Sequence, residues 1–187
     1  MKKFLLLLLL SPQLLFAQFT LVEGGLKVTD SDNDYIVYDF EGVSSQELYN
    51  RAKNAVISTF VSAKDVATEN ENEMISVNAV SNKEVYIKQM GIITNFIVNY
   101  NIRMRFKDGK VRVDLPIINY IKVDGPQLQN VYLTRGSNGM VASSLYVYKK
   151  NGDLRYKDFK SSFEKLFNRL ITNLIDNIRN NNEKDNW

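Results

Sequence analysis

Apolar and polar residues alternate along much of this chain, and the period of that alternation separates its elements. Between Ile93 and Phe106 the residues Phe96, Val98, Tyr100, Ile102, Met104 and Phe106 alternate with mostly polar neighbours. Beyond Asp108-Gly109, Val111, Val113, Leu115 and Ile117 do the same. A period of two places each set on one face of a strand, and Asp-Gly between two such runs makes a two-residue hairpin turn. That turn sets Phe106 opposite Val111, Met104 opposite Val113, Ile102 opposite Leu115 and Tyr100 opposite Ile117, so every apolar side chain shares one face. Ile36, Tyr38 and Phe40 predict an earlier strand over residues 35–41, and Ile75, Val77 and Ala79 another. Shorter strands are predicted at Val85 to Ile87, Val131 to Leu133 and Leu145 to Tyr148, the last followed by an Asn151-Gly152 turn.

Helical period appears twice. Ser44 stands three residues before Glu47, the spacing of a capping box, and Leu48, Ala52, Ala55, Val56 and Phe60 then fall on one face, predicting a helix over residues 45–60. Phe159, Phe163, Leu166, Phe167, Leu170, Leu174 and Ile178 form a longer stripe, a packing face that ends in an asparagine-rich polar tail, 181–187. The order β-α-β-β-β-β-α predicts an α+β fold, an antiparallel sheet with two helices packed on one face.

The first 17 residues follow a different grammar. Met1, Lys2 and Lys3 precede the apolar run Phe4 to Leu10, with Leu14, Leu15, Phe16 and small Ala17 next, the pattern of a secretory signal peptide cleaved after Ala17. The run is shorter than the ~20 residues a spanning helix needs, so no membrane span is expected in the mature form, which is placed in the periplasm or outside the cell.

Composition then removes several chemistries. Among 187 residues there is no His and no Cys, which excludes a Ser/His/Asp triad, a thiol nucleophile, disulfides and the common structural zinc sites. Without Lys2 and Lys3 the 24 basic side chains become 22 against 21 acidic ones, a balance that does not suit a nucleic-acid partner. No cofactor is expected, and the pattern assigns no oligomeric state.

The stretch Asp34-Tyr35-Ile36-Val37-Tyr38-Asp39-Phe40-Glu41-Gly42, then Ser44 to Ala52, taken with the long Asp-Gly hairpin, resembles an exported bacterial family, domain of unknown function 4468, with a TBP-like fold. The resemblance covers residues 25 to about 121. It implies a curved antiparallel sheet with helices on one face and an envelope setting, and brings no activity with it. Residues 18–180 are accordingly expected to form one TBP-like domain, with 18–34 as an N-terminal extension.

Candidate chemistry lies mainly on the solvent side of the hairpin. Ile97, Asn99, Asn101, Arg103, Arg105 and Lys107 should face away from the core, as should Lys110, Arg112, Asp114, Ile118 and Tyr120. The Asp-Gly register sets Arg103 opposite Asp114, Arg105 opposite Arg112, Ile97 opposite Tyr120 and Asn99 opposite Ile118. One end of this face is then basic and the other apolar, with Arg103, Arg105 and Arg112 to attract an anionic or amphipathic partner and Ile97, Ile118 and Tyr120 to pack on it. A non-catalytic envelope module binding an envelope protein or anionic ligand is the first expectation. The alternative is an envelope enzyme acting through carboxylates such as Asp39 and Glu41, which share a strand side. Asp30, Asp32, Asp34 and Glu41 also match positions 1, 3, 5 and 12 of a calcium loop, but Tyr35 stands where the sharp turn wants Gly. Gly136-Ser137-Asn138-Gly139 reads as a turn, since no clear strand and helix flank it to make a phosphate loop.

Overall fold

A computed structural model describes residues 18–60, 67–70, 72–126, 129–134 and 144–180. The signal peptide expected at residues 1–17, the turn predicted at 136–139 and the asparagine-rich stretch 181–187 lie outside these residues. The element order is β1 Phe19–Val22, β2 Gly25–Val28, β3 Tyr35–Asp39, α1 Ser45–Thr59, β4 Ala67–Asn70, β5 Met74–Gln89, β6 Ile92–Lys107, β7 Lys110–Asp114, β8 Ile117–Val123, β9 Asn130–Tyr132, β10 Leu145–Tyr146 and α2 Lys157–Asn180. The fold is α+β, as the pattern predicts.

The main sheet is organised around β5 and β6, which pair antiparallel along their length. One edge of β6 is shared: its C-terminal part pairs with β7, which pairs onward with β3, and its N-terminal part pairs with β8, followed by β9 and β10. All these pairings are antiparallel except β9 with β10. Both helices pack on one face and on each other. Phe159, Phe163, Phe167, Leu170, Leu174 and Ile178 of α2 are buried as the stripe predicts, and Phe96 and Tyr100 meet Phe159 and Phe167 edge-on at 5.2 and 5.1 Å.

Local chemistry explains the element ends. The Ser44 hydroxyl accepts from the Glu47 amide and the Asp108 carboxylate accepts from the Ser45 amide, so two side chains satisfy the start of α1. Gly109, at φ +72, fits the turn and also donates to Val43 O while accepting from the Phe40 amide, tying β3, α1 and the β6–β7 turn together.

The structure differs from the sequence reading in several places, among them an added strand, β4, and a shorter β10. Residues 18–34, read as an extension, contain the β1–β2 hairpin, whose Phe19, Leu21 and Val28 are buried and whose β1 packs on α2. The two short strands around Ile75 and Val85 are one strand, interrupted by a bulge between Asn82 and Val85 that breaks the alternation. The return of the Asp-Gly hairpin stops at Asp114. Pro116 has no N–H to give the ladder, and the chain resumes as β8 with one residue inserted there and another at Asn119. Tyr100 therefore faces Ile118 rather than Ile117, Tyr120 faces Asn99 rather than Ile97, and Lys122 takes the place beside Ile97. Of the six residues predicted to recruit a partner, Ile118 is thus the one that turns to the core side, where it packs half-buried, while Ile117 stands outside at 50% exposure.

Candidate functional site

Among the described residues no helix packs on the opposite face of the sheet, and the basic end of that face is built from three strands. Tyr35, Val37 and Asp39 come from β3, Lys110, Arg112 and Asp114 from β7, and Arg105 and Lys107 from β6. Cross-strand pairing places Tyr35 beside Asp114, Val37 beside Arg112, Asp39 beside Lys110, Arg105 beside Arg112 and Lys107 beside Lys110. Together Tyr35, Val37, Arg105, Lys107, Lys110 and Arg112 line a cleft of about 380 Å³.

Arg105 and Arg112 face each other as the turn predicts, and like charges in that position oppose pairing. Asp114 resolves the conflict: its carboxylate accepts from Arg105 Nε at 3.2 Å and from Arg112 Nε at 2.6 Å. The Arg112 guanidinium also lies 3.9 Å from the centre of the Tyr35 ring, stacked over an aromatic face that fixes its plane. Asp34 stands 3.9 Å from Arg112, and Asp39 stands 3.6 Å from Lys110. With Arg103, five cations meet three carboxylates here, leaving the cleft positive. The Met104–Val113 register continues to Arg103 opposite Asp114, but the Asp114 carboxylate bonds Arg105 and Arg112. Arg103 Nε is buried and has no hydrogen-bond partner among the described residues.

Polar amides cover the middle of the same face. Asn101 donates to Ser76 Oγ at 2.7 Å and to Asn78 Oδ1 at 3.0 Å, and Asn119, on its bulge, donates to Asn99 Oδ1 at 2.7 Å. At the far end Ile97 and Tyr120 both lie on the outer side, though not opposite each other, Ile97 half-buried and Tyr120 exposed. β9 and β10 extend the sheet there and add Tyr132 and Tyr146, whose rings stack 6.0 Å apart. Neither the β3 residues of the cleft nor these two tyrosines were assigned to the face from sequence. The alternation within residues 35–41 shows which side chains point outward but does not say which strand is the neighbour.

The acidic candidates do not converge. Asp34 and Glu41 bracket β3, five residues or about 17 Å of extended chain at ~3.3 Å per residue. Among the described residues no cluster of three or more His, Cys, Asp or Glu is placed to hold a metal ion. Asp39 lies at the exposed lip of the basic cleft, and Glu41 follows in the turn beyond the strand, also exposed. The tyrosines with displaced titration are on the core side, where burial pushes the hydroxyls of Tyr38 and Tyr100 up to about 12. A larger cavity of about 630 Å³ opens between Thr59, Phe60, Leu170 and the β5 edge. No helix among the described residues is long and apolar enough to cross a membrane.

Comparison with known proteins bears on the fold. Residues 35–121 match the family model described as a domain of unknown function (DUF4468) with TBP-like fold, so the resemblance seen in the sequence holds from β3 into β8. A solved TBP-like protein from Parabacteroides distasonis is similar at 15% identity and a TM-score of 0.53, over 78% of this chain and 91% of that one. A solved DUF4468 family protein from Bacteroides ovatus is similar at 10% identity and a TM-score of 0.48, over 78% of this chain and 82% of that one. No curated protein matches.

Proposed function

We propose that this chain, carrying a TBP-like domain of unknown function at residues 35–121, is a non-catalytic binding module of the cell envelope that receives an anionic ligand on the open face of its sheet. The observation that carries the reading is the cleft itself, where Arg105, Lys107, Lys110 and Arg112 converge from two strands beside Tyr35 and Val37. Guanidinium groups held in plane by Asp114 and Tyr35 offer paired donors to a carboxylate or phosphate, and the two lysines add mobile positive charge. The leader-like residues 1–17 support an exported setting.

Lys107 and Lys110 give the direct test, because both are exposed and neither supports the core. Changing both to Glu should shift stability by no more than about 0.5 kcal/mol per site. The same change should weaken calorimetric binding of a galacturonate hexasaccharide at least tenfold and remove its salt dependence. Binding that survives the double change would place the ligand elsewhere.

A further inference from the structure

The basic cleft is one end of a longer surface whose other end is aromatic. β8, β9 and β10 lie side by side, with Ile121 beside Val131, Lys122 beside Asn130 and Tyr132 beside Tyr146. Continuing that register sets Tyr120 next to Tyr132, so Tyr120, Tyr132 and Tyr146 form a row across three strands on the open face. Tyr120 and Tyr132 are 40% and 41% exposed. Large aromatic rings exposed side by side on a soluble domain commonly mark a binding surface.

Asn99 joins this row to the cleft. It pairs with Tyr120, and from it β6 runs through Asn101 and Arg103 to Arg105, about 20 Å at ~3.3 Å per residue. Asn78, Asn99 and Asn119 use only part of their amide capacity among the described residues. Asn78 Oδ1 and Asn99 Oδ1 accept, while their Nδ2 donors and the Asn119 carbonyl make no hydrogen bond there.

We infer that this face binds an acidic polysaccharide chain, its sugar rings stacking on Tyr120 and Tyr132, its hydroxyls meeting the asparagine amides and its carboxylates reaching the cleft at Arg105, Lys107, Lys110 and Arg112. The inference rests on the proposed function for the last of these contacts and adds the first two. Pyranose rings present apolar C–H faces and a rim of hydroxyls, which is the complement of aromatic planes interleaved with groups that both donate and accept. The uncharged asparagine middle favours a polysaccharide over a single nucleic-acid strand, the other polymer that stacks on aromatic rows. A DNA strand offers that middle only phosphates and base edges, whereas every uronate also brings ring hydroxyls for the amides, and the aromatic end has Lys122, which lies over the Tyr120 ring at 4.6 Å.

The test compares a galacturonate hexasaccharide with its methyl-esterified, uncharged form by titration calorimetry of the purified protein. The expected result is binding of the acid form, with the ester at least tenfold weaker. Tyr120→Ala with Tyr132→Ala should lose at least tenfold against both forms. Tyr120→Phe with Tyr132→Phe should restore most of that binding, because a phenyl ring stacks as well and keeps the strand packing. Lys107→Glu with Lys110→Glu should lose the acid form alone. If the tyrosine pair can be removed without loss while the lysine pair cannot, the polysaccharide surface is refuted and the anion cleft stands. If the reverse holds, the cleft reading fails instead. Absence of hexasaccharide binding, or equal or tighter binding of a ten-residue thymidine oligonucleotide, overturns the inference.

Discussion

Two guanidinium groups face each other across β6 and β7 because one carboxylate sits against both. Asp114 is 16% exposed at its side chain, while Arg105 and Arg112 are 49% and 38% exposed, so solvent screens the cations more than it screens the acid. Replacing Asp114 with Asn should cost about 1 kcal/mol, the scale of a partly screened pair together with restored like-charge repulsion. It should also tighten hexasaccharide binding a few-fold, since the ligand's carboxylates no longer compete with Asp114. Denaturant melts and calorimetry on the one variant check both signs. A fall in affinity with the fall in stability would show that Asp114 chiefly orients the two guanidinium groups. The Arg105–Arg112 opposition was legible in the sequence because a two-residue Asp-Gly turn fixes register close by. The contribution of Tyr35 and Val37 was not, because strand adjacency between β3 and β7 is a long-range choice that no local spacing records.

At the scale of elements, α2 was the easiest to read and the N-terminal hairpin the hardest. A 24-residue amphipathic stripe repeats its signal many times, whereas β1 and β2 are four residues each and owe their place to tertiary contacts. Those contacts converge on Glu164 of α2. Its carboxylate accepts from the Thr20 hydroxyl at 2.7 Å, the Leu21 amide at 2.8 Å and Lys160 Nζ at 2.5 Å. Lys160 and the Tyr148 hydroxyl both donate to Leu21 O, and Asn168 receives the Phe19 amide. Burial by itself would raise the titration of Glu164, but the hydrogen bonds from Lys160, Thr20 and Leu21 outweigh it and hold the carboxyl below its ordinary value of 4.5. A carboxyl lowered in the folded state stabilises the fold in full above its unfolded value and loses that contribution as pH falls through the lower folded one. Thermal melts of the wild type should therefore weaken more steeply below pH 4.5 than those of Glu164→Gln, which should start less stable at neutral pH. Parallel pH profiles for the two proteins would mean that the carboxylate does not clamp the hairpin. The bulges that rearranged β5 and β8 escaped the sequence for a related reason. In β5 two residues, Lys83 and Glu84, are inserted, so buried positions stay on odd numbers and the exposed run 82–84 reads as a break. In β8 a single inserted residue inverts the alternation, and at Asn119 its only outward sign is a polar side chain on a surface already rich in asparagine.

For the whole molecule, the stretch that matches the family model and the unit that folds are not the same thing. Residues 35–121 contain β3 to most of β8 together with α1, and so nearly all of the open face that carries the cleft. They omit α2, which buries ten residues between the sheet and α1, and the β1–β2 hairpin that α2 holds. Without α2, Phe96 and Tyr100 lose the rings of Phe159 and Phe167, and Phe163 is absent from between those two rings. Each large apolar side chain left in water forfeits roughly 1.5–3 kcal/mol, so a handful of them consumes the ~5–15 kcal/mol that stabilises an ordinary domain. A fragment of residues 35–121 should accordingly lack a cooperative thermal transition and show poorly dispersed amide resonances, although it retains every cation of the cleft. Mixing it with a separately produced 144–180 segment should recover part of the dispersion, because the missing interface is apolar and continuous. A cooperative transition in 35–121 alone would show that the sheet and α1 suffice, and would make α2 a cover rather than half of the core.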